Sequence, residues 1–271
     1  MTIKDFIAEG EAISAKAGES KHMHGYFSHS APRLHQCCRI FGLFSDGLGK
    51  VLELGPFYGY LPFMLKRHAT SYAVLEGDDP IVYPLSPLYK EASIDFGLVD
   101  YMEIFGPTHA ATHTLALPDA SFDTILCWET MEHFNFNPVK FVRELYRVLK
   151  PGGRVCITVP NRASFQSIYS LVSGRGDTDS IRSFYQFEDY ECNGKKAFFG
   201  FHWHEYSRPE LAALFSQAGF VIGQTGTFTI FDHAEKIGLG RKFARLLSSA
   251  AVTIAPRYGK NVYLSATKPK G

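Results

Sequence analysis

A short apolar segment that runs directly into a glycine turn constrains the fold of this chain more than any other feature. Residues 51–59 read Val-Leu-Glu-Leu-Gly-Pro-Phe-Tyr-Gly, and a second apolar run over residues 72–75 ends on Glu76. In a doubly wound α/β sheet, glycines after the first strand let the backbone approach a nucleoside, and an acid ending the next strand accepts hydrogen bonds from ribose hydroxyls. The two segments predict a nucleoside site where two parallel strands end.

The spacing of the glycines argues against a nicotinamide cofactor. A dinucleotide site uses Gly-x-Gly-x-x-Gly to seat a pyrophosphate. Here Phe57 occupies the middle glycine position, and the third glycine is absent. A ligand without a pyrophosphate tolerates this turn better.

Apolar strands and helices continue to alternate beyond the turn. Residues 122–127 and 154–159 form continuous apolar runs, and the apolar residues of 138–149 recur at helical spacing. Before these segments the pattern is weaker, and we predict a helix near residues 89–96 and a strand over 101–105. Apolar strands separated by helices indicate a parallel sheet that is covered on both faces.

The same pattern predicts one domain over residues 1–271. Its core is expected at residues 49–160, preceded by a helical cap over residues 1–48. Residues 161–205 interrupt the alternation with glycines and many aromatic side chains, so we expect an insertion that lies over the carboxyl edge of the sheet as a substrate lid. Residues 206–271 should complete the sheet and its helices.

Charge and cysteine content narrow the possible partners and compartments. The formal net charge is +1, so no overall field attracts nucleic acid or an anionic membrane. The five cysteines are odd in number and lack paired metal spacing, which favours a reducing compartment. No signal peptide is visible, and no apolar run is long enough to span a bilayer. We expect a cytoplasmic protein without a transmembrane segment, with nucleic acid disfavoured as a partner and the oligomeric state left open.

Four segments, in their order and spacing, resemble the class I S-adenosylmethionine (SAM) dependent methyltransferases. They are residues 51–59, 76–78, 117–123 and 149–153, and the match is strengthened by residues 128–133, 141–149 and 206–220. The resemblance implies an α/β fold with a Rossmann-like, doubly wound sheet of seven strands, the last of them antiparallel. It further implies an amino-terminal helical cap, an insertion after the fifth strand, and SAM as the cofactor across the carboxyl ends of the strands.

The resemblance assigns cofactor roles by position. Gly55 and Gly59 are expected to leave room for the methionine part of SAM, and Glu53 to orient the loop that contains them. Glu76, with Gly77 beside it, is expected to bind the ribose diol.

A second group of residues is expected around the rest of the cofactor. Trp128 and Glu129, directly after the fourth strand, should contact the methionine end or the substrate. Relatives usually carry an aspartate in the turn that meets the adenine, whereas this turn contains Thr112 and His113. Either of these residues is therefore the candidate for the adenine contact. The cap should close the site through Tyr26 or a nearby histidine.

A possible metal site follows the fourth strand. Glu129, Glu132 and His133 have spacings of three and four, so one helical turn would gather them on one face. Some relatives, the small-RNA 2′-O-methyltransferases and quinone-pathway O-methyltransferases, bind a divalent ion with such a set. His202 or His204 could complete a shell suited to Mg²⁺, Mn²⁺ or Zn²⁺. The alternative, which we favour, is that His133 bonds the backbone and no metal is used.

Methyl transfer from SAM needs little covalent chemistry from the protein, because the sulfonium already activates the methyl group. The protein must hold a nucleophile in line and remove its proton, and the candidate bases are His133, His202 and His204. We predict O-methylation, with N-methylation less favoured, of a small molecule such as a sugar or secondary metabolite. The alternatives are a metal-assisted RNA 2′-O-methyltransferase and a catalytically silent SAM-binding partner subunit.

Overall fold

A seven-stranded mixed sheet forms the centre of the computed structural model, which describes residues 1–17, 25–107, 111–174, 176, 185, 191–192, 195–196, 201–230 and 254–270. Its strands are β1 (Lys50–Leu54), β2 (Ser71–Gly77), β3 (Asp95–Val99), β4 (Phe122–Trp128), β5 (Leu149–Pro160), β6 (Val221–Phe228) and β7 (Asn261–Thr267). Their spatial order is β3-β2-β1-β4-β5-β7-β6. Strand β7 is antiparallel to both of its neighbours, and the remaining pairs are parallel. The predicted Rossmann-like sheet with an antiparallel last strand is confirmed.

Helices lie before and between these strands. The described helices are α1 (Ile3–Ala17), α2 (Tyr26–Ile40), α3 (Leu61–Leu65), α4 (Ser86–Glu91), α5 (Tyr101–Phe105), α6 (Pro138–Val148), α7 (Phe165–Val172) and α8 (Arg208–Gln217). Short 3₁₀ turns occur at Phe57–Gly59, Lys66–His68, Tyr83–Leu85, Met131–His133 and Pro256–Tyr258. In the described part of the chain, no helix has the length and hydropathy needed to cross a membrane.

Successive side chains of the central strands point to opposite faces of the sheet. Val51 and Leu126 belong to the apolar layer that α1 and α2 complete, whereas Leu52 and Ile125 belong to the layer formed with α6 and α8. All four side chains are fully buried. The amino-terminal helices therefore cover part of one face of the sheet, and the expected helical cap is an integral layer of the fold.

The prediction for residues 89–105 was wrong except at its start, where α4 extends to Glu91. Strand β3 occupies Asp95–Val99, where a helix was expected to end, and the expected strand at 101–105 is helix α5. The side chain of Asp100 accepts hydrogen bonds from the backbone N–H groups of Met102 and Glu103, which starts the helix. The aromatic and β-branched residues that resembled a strand thus follow a helix cap, and this local bond decides their conformation.

The predicted insertion is described only in part. It contains α7, a short antiparallel hairpin that pairs Glu191–Cys192 with Lys195–Lys196, and residues 201–205, which lead back to the sheet. Residues 175, 177–184, 186–190, 193–194 and 197–200 of the expected lid lie outside the described ranges. A parallel bridge between Asn161 and Tyr206 joins the two ends of the insertion, so residues 201–206 return to the carboxyl end of β5.

Candidate cofactor and catalytic site

The turn after β1 brings three parts of the fold together. Gly55 has a left-handed backbone (φ +60°), and its N–H donates to the Leu75 carbonyl of β2 (2.9 Å). A Cβ at this position would lie 2.9 Å from the side chain of Thr130, so both the conformation and the packing require glycine. A Cβ at Gly59 would lie 3.2 Å from Leu34 of α2. Gly55 thus lets the turn pack against the loop after β4, and Gly59 lets α2 approach the turn.

Glu76 links the end of β2 to this turn. Its side chain is almost fully buried, and Oε1 accepts a hydrogen bond from the backbone N–H of Phe57 (2.6 Å). Burial raises the pKa of Glu76 to about 8, although the Phe57 N–H favours the ionised form. Among the described residues, none except the chain neighbours has an atom within 4 Å of a Cβ built on Gly77. The predicted ribose-binding acid therefore lies at the carboxyl edge of the sheet, next to a position with open space.

Glu53 lies below the turn and joins two strands. It is fully buried, and the hydroxyl of Tyr72 donates a hydrogen bond to its Oε2. Burial raises the pKa of Glu53 to about 8, while Tyr72 and the indole of Trp128 favour the charged form. Within the described ranges, neither Glu53 Oε1 nor Trp128 Nε1 has a partner at full hydrogen-bond geometry. The hydrogen bond of Glu53 thus connects β1 with β2 rather than with the glycine turn itself.

His113, the candidate for the adenine contact, follows α5. Its backbone is left-handed (φ +54°), and its N–H donates to the carbonyl of Ile104 (3.0 Å). Its Nδ1 is buried without a partner in the described structure. The next residues are tied to α6, because Glu144 accepts from the Leu115 N–H (2.6 Å) and Arg147 donates to the Leu115 carbonyl (3.2 Å). The connection between His113 and β4 is therefore held in place, although residues 108–110 lie outside the described part.

Helix α2 brings two side chains to the same edge. The ring of Tyr26 packs edge-on against Phe57 of the glycine turn, with ring centroids 5.0 Å apart. Two turns later, Arg33 forms an ion pair with Glu129, the first residue after β4 (Nη1 to Oε2, 2.8 Å). Asn261 of β7 donates to the same carboxylate oxygen (3.0 Å). Beside the predicted Tyr26 and Glu129, the site thus contains Arg33 and Asn261, which the sequence analysis did not identify.

A cluster of potential ligands lies directly after Glu129. Glu132, His133 and His202 each offer a ligand atom, and these atoms lie within 4.8 Å of one another. Glu129 does not share a helical turn with the other two, because its backbone is left-handed (φ +47°) and only Met131–His133 form a 3₁₀ turn. The expectation of one helical face was wrong in this respect. His202 stands with Glu132 and His133, and the carboxylate of Glu129 is directed to Arg33.

The environment sets the protonation of this cluster. Glu132 is fully buried, and neither carboxyl oxygen has a partner within the described ranges; burial and the nearby Glu129 raise its pKa well above the usual value. The Nδ1 atom of His133 lies 2.7 Å from the Phe201 carbonyl. Burial and His202 lower the pKa of His133 to about 4. A neutral His133 donates from Nδ1 and leaves the lone pair of Nε2 available, 4.0 Å from Glu132.

The two other candidate bases differ in their partners. The His202 ring packs edge-on against His133 with centroids 5.0 Å apart, and its Nδ1 lies 3.2 Å from Glu205 Oε1. His204 instead packs against Tyr206, with centroids 4.6 Å apart. Only His202 of this pair therefore combines a carboxylate partner with a place in the cluster, among the contacts that the structure describes.

Three residues of this site were missed by the sequence analysis: Arg33, Asn261 and Glu205. A signal was present for two of them. Arg33 follows Tyr26 by seven residues, which places both side chains on one face of a helix, and Glu205 follows His202 by three. The contact of Asn261 with Glu129 spans 132 residues and has no local signal.

Comparison with known proteins agrees with this architecture. The sequence model of a methyltransferase domain family matches residues 26–225. A probable SAM-dependent methyltransferase of Mycolicibacterium smegmatis is 28% identical over 175 residues, which are 65% of this chain and 53% of that protein. The ubiquinone biosynthesis O-methyltransferase of Pseudomonas entomophila is 32% identical over 115 residues, or 42% of this chain and 45% of that protein. The chain thus spans about half the length of the curated relatives it matches.

A solved structure shares the fold over nearly the whole chain. It comes from the complex between the Haloferax volcanii Trm112 methyltransferase activator and a methyltransferase, with a TM-score of 0.56, 17% identity and 97% of both chains covered. At this identity the likeness concerns the fold alone, and the matching family model carries the assignment. The chain therefore belongs to this methyltransferase domain family, within the class I SAM-dependent methyltransferase superfamily.

Proposed function

We propose that this chain transfers the methyl group of SAM to a hydroxyl oxygen of a small molecule. The observation that carries the proposal is the His202–Glu205 pair, which lies next to His133. When bound, SAM supplies a methyl group that its sulfonium has already activated. What remains for the protein is to hold the acceptor in line and to take the proton of its hydroxyl.

The residues at the carboxyl edge fit a nucleoside that carries an amino acid. Buried polar atoms without partners are uncommon in folded proteins. Within the described ranges, His113 Nδ1 and Glu129 Oε1 are atoms of this kind. Glu76 lies at the end of β2 beside the open position at Gly77. These features support Glu76 as the ribose ligand, His113 as an adenine contact, and Glu129 as a contact of the methionine end.

His202 is the base that we propose for the acceptor hydroxyl. A carboxylate at Nδ1 orients an imidazole so that Nε2 can accept a proton. Glu205 has this relation to His202. We assign His133 to positioning, because its Nδ1 is engaged by the Phe201 carbonyl and its low pKa makes it a weak proton acceptor. His204 lies outside the cluster against Tyr206.

The preference for the hydroxyl oxygen of a small molecule as acceptor rests on the net charge of the chain and on one relative. A net charge of +1 provides little attraction for RNA, whose phosphates dominate the affinity of its binding proteins. One matched relative is named as an O-methyltransferase of ubiquinone biosynthesis. Helix α7 of the proposed lid exposes Phe165 and Tyr169, which could stack on the face of a ring or a sugar. These points favour a sugar or secondary metabolite over a nucleic acid.

A metal-assisted reaction is the second candidate, and one observation favours it. Glu132 is fully buried with both oxygens unpartnered in the described structure, and a divalent cation would satisfy them. Glu132, His133 and His202 would then hold the ion with one oxygen and two nitrogen ligands, a set that suits Zn²⁺ or Mn²⁺. Such an ion would lower the pKa of an acceptor hydroxyl by acting as a Lewis acid.

The test is methyl transfer by the purified chain to fractions of a metabolite extract. We expect S-adenosylhomocysteine together with a product heavier by one methyl group, and no such product in any fraction would contradict the proposal. His202→Asn should lower turnover by about 100-fold or more while cofactor affinity is kept. His204→Asn is the matched control and should change turnover little. Loss of activity with a chelator and recovery with Mn²⁺ would select the metal; activity that resists chelation would select the His202 base.

A further inference from the structure

The ion pair between Arg33 and Glu129 is set into the edge of the sheet rather than on the outer surface. The Arg33 side chain is 25% exposed and that of Glu129 only 9%. An ion pair removed from water regains its desolvation cost only when further polar partners satisfy both groups. The partners of each group therefore show whether the pair is complete.

Only one of the two carboxylate oxygens of Glu129 has partners among the described residues. Its Oε2 accepts from Arg33 (2.8 Å) and from Asn261 (3.0 Å). Its Oε1 is buried and has no hydrogen-bond partner among the residues described. A guanidinium carries five N–H donors, so Arg33 can pair with Glu129 and still bind a second anion. The pair thus has unused capacity for one cation and one anion.

The position of the pair indicates what could use that capacity. Glu129 precedes Thr130, whose side chain packs against Gly55, and Arg33 precedes Leu34, which packs against Gly59. The sequence neighbours of the pair thus contact both glycines of the turn, and the pair places a positive charge on α2 and a negative charge directly after β4. An α-amino acid carries an ammonium and a carboxylate on one carbon atom, and this arrangement is complementary to it.

We propose that Arg33 and Glu129 form a clamp for the amino acid group of SAM, in which Arg33 binds the α-carboxylate and Glu129 Oε1 binds the α-ammonium. This inference rests on the proposed use of SAM by this chain. It adds Arg33, with Asn261 as the residue that positions Glu129, to the groups that select the cofactor. The competing explanation is an ion pair that only anchors α2 to the sheet.

Calorimetry with three ligands separates these explanations. S-adenosylhomocysteine has both charges, its decarboxylated aminopropyl analogue has only the ammonium, and 5′-methylthioadenosine has neither. Arg33→Met should weaken S-adenosylhomocysteine by about tenfold or more, the effect of losing a charged hydrogen bond, without weakening the other two ligands. Glu129→Gln should weaken the aminopropyl analogue by a similar factor and leave 5′-methylthioadenosine unchanged. Arg162→Met, an exposed arginine paired with Glu210, is the control and should change none of them.

The outcomes distinguish the clamp from the proposed function. Wild-type protein that binds none of the three ligands would refute the proposed function itself. Equal effects of Arg33→Met on S-adenosylhomocysteine and 5′-methylthioadenosine, or no effect on either, would overturn the clamp alone. Arg33→Lys keeps the charge and should retain more S-adenosylhomocysteine affinity than Arg33→Met. Loss of 5′-methylthioadenosine binding in both variants would assign the ion pair to folding and would also overturn the clamp.

Discussion

Replacement of Gly55 by alanine tests the packing of the turn that the whole site depends on. The backbone at Gly55 is left-handed (φ +60°), a conformation that costs an L-residue about 1–2 kcal/mol. The added Cβ would also lie 2.9 Å from both Oγ1 and Cγ2 of Thr130, and overpacking of this kind costs about 1–3 kcal/mol. Rotation of Thr130 would not avoid the cost, because its hydroxyl bonds the carbonyls of Trp128 and Leu54 (3.0 and 3.3 Å). The sum is about 2–5 kcal/mol of unfolding free energy.

Thermal and urea unfolding measure this loss. For a domain of this size, 1 kcal/mol corresponds to about 2–4 °C in Tm, so Gly55→Ala should lower Tm by about 4–20 °C. Gly77→Ala is the matched control, because Gly77 is not left-handed and a Cβ there meets no atom within 4 Å in the described structure. The Gly77→Ala variant should leave Tm nearly unchanged. Equal Tm values for the two variants would refute the reasoning.

A double variant divides the cost into its two parts. Thr130→Ala removes the two atoms nearest to the added Cβ but leaves the strained backbone at residue 55. The unfolding free energy lost when Gly55→Ala is combined with Thr130→Ala should therefore be smaller than the sum of the two single losses. The difference should be roughly the 1–3 kcal/mol of the overpacking. Strict additivity would show that Thr130 is not the obstacle.

Two further predictions concern the buried acids. Glu76→Ala should weaken S-adenosylhomocysteine binding by about 1–3 kcal/mol, because charged hydrogen bonds to the ribose would be lost; unchanged affinity by calorimetry would exclude the ribose role. Burial holds the pKa of Glu53 at about 8 against 4.5 in the unfolded chain. Between these values the folded chain keeps a proton that the unfolded chain releases, so stability is lost as pH rises toward 8. Between pH 6.5 and pH 8 the Glu53 carboxyl accounts for about 1–2 kcal/mol of this loss, and Glu53→Gln should reduce the loss by that amount; the same slope by urea unfolding in both proteins would contradict it.

Much of the fold was predictable because its signals are local. Strands β1, β2 and β4 and the second half of β5 contain short apolar runs, and α6 shows apolar residues at helical spacing that end at Leu149, the first residue of β5. The error fell at β3, an edge strand in which only Val99 is buried, so its sequence lacks the continuous apolar run of the inner strands. There the cap at Asp100, rather than hydrophobic pattern, separates strand from helix.

The residues of the site also differ in whether a local signal in the sequence predicts them. Gly55 and Glu76 stand in short motifs whose geometry follows from the end of a single strand, so their positions could be read directly. The partners of Glu129 and His133 could not, because Asn261 and Phe201 lie 132 and 68 residues away along the chain. Local spacing even suggested a wrong grouping, in which Glu129 shared a helical face with His133.

The sequence by itself determined the type of sheet, the family, and the residues that end its first two strands. These properties depend on side-chain periodicity and turn chemistry within a few residues, which the chain order preserves. Only the tertiary structure decided which charge faces which: Arg33 against Glu129, and His202 against His133 and Glu205. Such pairings depend on how helices and loops from distant parts of the chain pack at one edge of the sheet, where burial raises the pKa of Glu132 and lowers that of His133.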